Sequence, residues 1–310
     1  MTVITVGSRA SHLARAQVAE CLSPLRRRFP HVVFRHRVVA ESADRDRRTA
    51  LAEVSRAAGG AAFAGAQEAA LLAKEVDVVV HSFKDLPAAP TPGLVLLAPP
   101  SREDVRDALC GSTLGDLPEG ARVGTSAPRR IAQLLAARPD LCLVPIRGNV
   151  PPRLAKARTG GLDAVVLAAA GLRRLGRAEE ITDLLPVDPF TPSPAQGALG
   201  IQIREDDAML RDLLTGLGDH ETDAQVRAER AVLTALRCGC DLPLGAYART
   251  RSDGSLSLTA RVTALDGTRE IAVTATGPTT DPETLGRAVA DDLLRHGAGP
   301  LLDAARAVTG

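Results

Sequence analysis

Asp85 stands beside Lys84 in the segment Val76–Pro87, VDVVVHSFKDLP. A carboxylate can balance a developing positive charge or carry a proton, and an adjacent ammonium can hold an anion. The five residues that open the segment, VDVVV, include four Val, which is β-branched and suits a strand covered on both faces. Pro87 stops the run. The pair therefore falls just past the carboxyl end of a central strand, the place where open α/β sheets bind ligands. Taken alone, a Lys-Asp neighbour pair is more often an ion pair that only solubilises a loop.

A set of arginines gives the pair a context. Arg9 lies in GSR, Arg129 and Arg130 in GTSAPRR, Arg147 in RGN, Arg153 in PPRL and Arg174 in GLRRLG. Each falls at a strand-to-helix turn. Guanidinium suits two-point recognition of carboxylate or phosphate. Gly124-Thr125-Ser126, just before a helix start, adds backbone N–H groups and a positive dipole end. Solvated surface arginines would account for part of the set. Together they point to a small polyanionic ligand, carboxylate or phosphate. The thiols offer a different chemistry. Cys238-Gly239-Cys240 is C-x-C at a helix end, and a zinc site would need a second Cys or His pair at suitable spacing, which the sequence lacks. Asp219-His220-Glu221 supplies one imidazole only, so no metal is expected. A loop thiol can instead be a point of covalent attachment.

The elements that must position these groups alternate. Strands are predicted at Val3–Val6 and Val32–Val39, with a helix capped by Ser11 between them that Pro24 should kink or end early. Residues 40–58 read as a polar loop, followed by a helix over 62–74 and the Val76–Val80 strand. Leu94–Ala98 is another strand, and Pro99-Pro100 marks a boundary. The second block runs strand Arg122–Gly124, helix Pro128–Ala137, strand Leu141–Pro145, helix Val150–Arg158, strand Ala164–Ala168 and helix Gly171–Leu175. PVDPFTPSP at 186–194 is a second boundary. A strand over Leu199–Ile203, a helix near 207–214 and a long helix over about 222–237 follow. The tail alternates apolar and polar residues as a half-wet antiparallel sheet does, with helices near 282–296 and 300–308.

Composition excludes several classes. A net charge of +1 gives no global basic field for nucleic acid, and 2% aromatics leaves few platforms for stacking on bases. No apolar run approaches the ~20 residues of a membrane helix. The N-terminus MTVITVGSR lacks the features of a signal peptide, and five scattered Cys fit a reducing cytoplasm.

These pieces, in order, resemble the porphobilinogen deaminase (hydroxymethylbilane synthase) family. The matching segments are VGSRASHLA at 6–14, VDVVVHSFKDLP at 76–87, REDVRDAL at 102–109, LPEGARVGTSAPRR at 117–130, VPIRGNV at 144–150, DAVVLAAAGLRRLG at 163–176, AQGALGI at 195–201 and CGCDLPLGAY at 238–247. The resemblance implies an α/β fold of two periplasmic-binding-protein-like lobes plus a small C-terminal α+β domain. It divides the chain into residues 1–98 with 198–216, residues 99–197, and residues 217–310. The implied enzyme is a transferase that joins four porphobilinogen molecules head to tail with loss of ammonia, giving hydroxymethylbilane. It is primed by a dipyrromethane cofactor held by a thioether to Cys240, and it works as a cytoplasmic monomer without nucleic acid or membrane.

By the same resemblance Asp85 is the catalytic carboxylate. Lys84, Thr125, Ser126, Arg129 and Arg130 hold the cofactor, and Arg9, Ser11, Phe63, Arg147, Arg153 and Arg174 hold substrate. Two departures touch substrate handling. The family's G-K-G-L-F is Gly59-Gly60-Ala61-Ala62-Phe63 here, and its T-S-S-L-R-R is Thr125-Ser126-Ala127-Pro128-Arg129-Arg130. A diverged paralogue, or a non-catalytic binder of an anionic metabolite, is the alternative.

Overall fold

The computed structural model describes residues 2–41, 64–239 and 241–309. Strands β1 (Thr2–Ser8), β2 (Val32–Val38), β3 (Val78–Ser82), β4 (Leu94–Leu97) and β10 (Leu199–Arg204) form one five-stranded sheet in the order β2-β1-β3-β10-β4. β1 runs parallel to β2 and β3, whereas β10 is antiparallel to both of its neighbours. Strands β5 (Asp107–Cys110), β6 (Arg122–Gly124), β7 (Cys142–Val144), β8 (Ala164–Ala168) and β9 (Asp183–Leu184) form a second sheet, β7-β6-β8-β5-β9, in which β5 is the antiparallel strand. The two sheets thus share one plan. Each receives its antiparallel strand from a segment that crosses between the lobes, β5 on the way out and β10 on the way back. The third unit is the antiparallel sheet of β11 (Leu244–Thr250), β12 (Leu256–Thr263) and β13 (Glu270–Gly277). The chain therefore adopts the two-lobed α/β fold with a small α+β domain that the resemblance implied.

The helices are α1 (His12–Arg28), α2 (Gly65–Leu72), α3 (Pro128–Ala137), α4 (Val150–Thr159), α5 (Ala169–Arg174), α6 (Ala208–Thr215), α7 (His220–Ala235), α8 (Pro282–Arg295) and α9 (Ala298–Thr309). Among the described residues, no helix is long and apolar enough to cross a membrane. Ser11 caps α1, accepting a hydrogen bond from the Ala14 N–H. Contrary to the sequence expectation, α1 runs through Pro24 to Arg28. An interior Pro disfavours a helix by roughly 3 kcal/mol. Val18, Leu22 and Leu25 are buried against the first sheet, and each contributes about 1.5–3 kcal/mol by leaving water, so packing wins. Pro128 opens α3 at its first turn, where its missing N–H leaves no bond unmade.

Each sheet has its own core: Ile4, Val6, Val78, Val80, Ile201 and Ile203 under α1 in the first lobe, and Ala108, Val165, Leu167 and Leu172 on one face of the second. The third domain packs α7 and α8 on β12, burying Val232, Leu258, Val262 and Val289. One small cluster joins Phe83 and Leu86 to Ala195, Ala198 and Val226 of α7. That cluster seats the corner after β3 against the third domain.

Candidate active site

β3 carries its buried valines to Ser82, and the chain then tightens into a single 3-10 turn over Phe83–Asp85. Phe83 is buried, and the Arg230 guanidinium from α7 lies over its ring, 5.1 Å from the centroid. Arg230 Nη2 also donates to the Pro87 carbonyl at 2.6 Å. The corner is thus held from behind, which leaves Lys84 and Asp85 facing a cavity of about 690 Å3 between the lobes and the third domain. Its lining includes Arg9, Ser11, Lys84, Asp85, Ser126, Arg129, Arg130, Arg147 and Arg153, with Arg237, Cys238, Gly239 and Asp241 from the third domain. Among the described residues, seven Arg and Lys side chains line it (Arg9, Lys84, Arg129, Arg130, Arg147, Arg153, Arg237) against two acidic ones, Asp85 and Asp241. A chain of net charge +1 therefore concentrates its positive charge in one cleft, where low-dielectric walls strengthen the field.

A buried carboxylate that sequence reading did not single out organises the floor. Asp107, at the start of β5, is 1% exposed. Its Oδ1 accepts from Arg130 Nε at 3.1 Å, Arg130 Nη2 at 2.7 Å and Gln196 Nε2 at 2.9 Å. Its Oδ2 pairs with Arg129 Nη1 at 2.8 Å. Arg129 also donates to the Gln133 side chain and the Thr191 carbonyl. Although burial opposes its ionisation, the two guanidiniums beside Asp107 hold its carboxyl far below the usual range. Gln196 continues the network, since its Oε1 accepts from Lys84 Nζ at 2.9 Å. The residue-level signal for Asp107 was the polar start of an otherwise apolar DALC, and for Gln196 the AQG turn that leads into β10.

The other side chains divide by what they already touch. Arg9 Nη1 lies 3.6 Å from Asp85 Oδ2. Arg153 Nε donates to the Gly148 carbonyl, and burial together with the Arg130 and Arg147 charges lowers its pKa. Arg147 Nη1 is buried and, among the described residues, has no hydrogen-bond partner. Leaving a buried charged donor unpaired is expensive, so Arg147 calls for an anionic acceptor. Ser126 Oγ donates to the Ile146 carbonyl and accepts from the Ile146 N–H, which ties the loops after β6 and β7 together. Thr125 is buried, its Oγ1 accepts from the Ala127 N–H, and it does not line the cavity. Nor does Arg174, whose guanidinium is bound to Glu20 and to the Gly197 carbonyl. Thr125 and Arg174 therefore border the cleft without lining it, each with its side chain engaged by protein groups. Cys240 and Phe63 lie outside the described residues; Gly239 and Asp241, on either side of Cys240 in the chain, line the cavity. His81 also lines it, hydrogen-bonded to Gln202, and burial brings its pKa down to about 4, so it is neutral at physiological pH.

Two family models together match most of the chain. Residues 4–212 match the dipyrromethane cofactor binding domain of porphobilinogen deaminase, and residues 224–295 match the C-terminal domain of the same family. The chain belongs to the porphobilinogen deaminase family. A porphobilinogen deaminase of Desulforudis audaxviator is 44% identical over 307 residues, covering 98% of both chains. One of Deinococcus radiodurans is 40% identical over 310 residues, 99% of this chain and all of that one. One of Thermobifida fusca is 46% identical over 271 residues, 84% of each. Among solved structures, the periplasmic aliphatic sulphonate binding protein SsuA of Escherichia coli overlaps 76% of this chain and 71% of its own at 13% identity and a TM-score of 0.40.

The cleft fits the cofactor that this family binds. A dipyrromethane carries four carboxylates, and the lining supplies an excess of guanidinium groups, one of them with a buried nitrogen still lacking an acceptor. The cationic cluster also predicts a pH effect. Burial first, and the Arg130 charge second, bring the Lys84 ammonium down from the ordinary lysine range to about 8. As pH rises through that value the free enzyme loses one positive charge at the cleft. Losing a hydrogen bond to a charged group costs about 1.5–3 kcal/mol, or about tenfold and more in affinity. The affinity of the cofactor-free enzyme for its dipyrromethane is therefore expected to fall about tenfold between pH 7 and 9. Lys84→Met should lack that fall, whereas any titration of the dipyrromethane itself would appear in both proteins. A parent profile identical in shape to that of Lys84→Met would refute the assignment.

Proposed function

We propose that this deaminase joins four porphobilinogen molecules head to tail into hydroxymethylbilane, releasing ammonia at each addition, in tetrapyrrole biosynthesis. The observation that carries the reading is a family match over residues 4–212 and 224–295 together with a cleft that, among the described residues, sets Asp85 amid seven Arg and Lys side chains, with Asp241 as the one other carboxylate. When bound, the dipyrromethane supplies the carbon nucleophile on which the chain is built. Arg129, Arg130, Lys84, Arg147 and Arg153 hold the acetate and propionate groups, and Ser126 shapes the loop beneath them. Arg9 and Ser11, at the mouth of β1 and the cap of α1, receive the incoming unit.

Ammonia leaves the aminomethyl carbon of the substrate, and the ring N–H becomes positively charged. The Asp85 carboxylate faces that charge and can take and return the ring-nitrogen proton. By its family resemblance the enzyme works as a cytoplasmic monomer, and its net charge of +1 supplies no global basic field for nucleic acid.

Cys240 is the proposed attachment point. Its rival, Cys238, is 3% exposed, and burial pushes its thiol up to about 12, so it is protonated and a poor nucleophile. Intact-mass measurement of the purified protein should show one dipyrromethane adduct, and peptide mapping should place it on Cys240. An adduct on Cys238, or no adduct, would sink the assignment.

A further inference from the structure

Arg174 sits at the end of α5 in the second lobe, and Glu20 sits on α1 in the first. Arg174 Nε donates to Glu20 Oε2 at 2.8 Å, and its Nη2 donates to Glu20 Oε1 at 3.2 Å, a two-point pair across the lobes. The same Nη2 donates to the Gly197 carbonyl at 3.0 Å. Gly197 belongs to the returning crossover and Glu103 to the outgoing one, and the Glu103 N–H donates to that same carbonyl at 3.2 Å. The crossovers are packed backbone to backbone here. Gly197 has φ +89°, and a Cβ on it would stand 2.3 Å from the Glu103 carbonyl oxygen, so only glycine fits. One guanidinium is therefore tied to the first lobe, the second lobe and the point where the connections between them cross. Beside it, a Cβ on Gly171 of α5 would reach Leu13 of α1 at 3.5 Å, so the two helices are in close contact.

We propose that Glu20 is a positioning residue of the polymerisation: acting through Arg174, it fixes the separation of the lobes and hence the width of the cleft in which the chain grows. This rests on the function proposed above. That reaction lengthens the bound chain from two rings to six, whereas the cavity in this conformation holds about 690 Å3, the size of a site for one drug-sized ligand, about 300–1,000 Å3. The cleft must widen as the chain grows, and a contact that joins α1 to α5 next to the crossover resists that widening. The pair is suited to give way reversibly. The Arg174 side chain is 6% exposed, but that of Glu20 is 41% exposed. Separation returns the carboxylate to water, while Arg174 keeps the Gly197 carbonyl. An ion pair with one wet partner is weak, so it biases the equilibrium between narrow and wide clefts without locking it.

The test uses the holoenzyme and two kinds of readout. Spin labels on the exposed native Cys142 of the second lobe and on a cysteine replacing Arg26 of the first report the lobe separation without any turnover. Glu20→Ala is expected to lengthen and broaden that distance distribution. It should also raise the KM for porphobilinogen about threefold to tenfold, with kcat within about twofold, because the competent narrow cleft is then a smaller fraction of the population. Glu20→Asp should show a smaller change in the same direction. In an Arg174→Gln background, Glu20→Ala should add nothing further, since coupled residues are non-additive. An unmoved distance distribution in Glu20→Ala would overturn the proposal, as would an equal effect of Glu20→Ala with and without Arg174. If instead the parent carries no dipyrromethane and makes no tetrapyrrole, the function reading fails while the distance measurement still stands.

Discussion

Asp107→Asn is expected to give a destabilised protein that accumulates no dipyrromethane. Arg129 and Arg130 are 5% and 8% exposed, and Asp107 is the carboxylate that both of them contact. An amide keeps the shape but removes the charge, and it points an N–H₂ group at guanidiniums that can only donate. Two buried cations are left facing each other. Removing one partner of a buried pair costs about 3–5 kcal/mol, a large part of the ~5–15 kcal/mol that holds a typical protein folded. The fall in melting temperature should be on the order of 10 °C. Function should suffer more than stability, because both guanidiniums lose the orientation that turns them toward the cleft. Gln196, freed from Asp107 Oδ1, also stops fixing Lys84. Intact mass would then show the bare polypeptide. Asp107→Glu retains the charge but displaces it, and should load cofactor partially. Full loading of Asp107→Asn together with a melting temperature within 2 °C (about 1 kcal/mol or less) of the parent would refute this role.

The same carboxylate contributes to the acid sensitivity of the fold. Its folded-state pKa is depressed, so its stabilising contribution is complete above the ordinary carboxylate value of about 4 and shrinks as pH falls below it. In the variant that part of the acid dependence should vanish.

Asp107 also marks where the sequence stops being readable. β3 and β8 were legible because each is a short apolar, Val-rich run, as strands covered on both faces are. α3 was legible because Pro128 announces its first turn. β5 was not, since four residues, DALC, carry no periodicity, and β5 exists only because β8 and β9 flank it. The return of β10 into the first sheet followed from the resemblance and not from any pattern in residues 199–204. The arginines show the same division. Their type and their place in turns could be read, but direction could not. Arg130 turns inward to an Asp twenty-three residues earlier. Arg174 turns to a Glu one hundred and fifty-four residues earlier, on the other lobe. Thr125 spends its hydroxyl on the Ala127 N–H. Such partners are chosen by tertiary packing, which local spacing does not encode. Pro24 is the converse case, a local rule that three buried side chains overrode.

Asp85→Asn is expected to lower kcat by about 10²–10³ while leaving cofactor loading and melting temperature close to the parent. The charge that appears on the substrate ring as ammonia leaves exists only on the way to the transition state. A carboxylate already fixed opposite it lowers that barrier without tightening ground-state binding. Asp85 is fixed in this sense: the 3-10 turn sets its backbone, Phe83 and Arg230 anchor the turn from behind, and Arg9 Nη1 at 3.6 Å orients one oxygen. The amide is isosteric but has no net charge, and loss of one such preorganised contact is worth about 2.7–4 kcal/mol. No neighbour can substitute, because Asp241 is the one other acidic side chain lining the cavity among the described residues, and it belongs to the third domain. Folding should be almost indifferent, since Asp85 is partly exposed to the cavity and, unlike Asp107, neutralises no buried guanidinium. Cofactor retention should hold because the Arg129–Arg130–Asp107 floor is intact. Steady-state rates at saturating porphobilinogen, read beside intact mass, separate the two residues: Asp107→Asn empties the cleft, and Asp85→Asn leaves it loaded and slow. A rate at least half that of the parent would mean that the positive charge is balanced elsewhere, and that the anionic groups of the substrate itself supply the counter-charge.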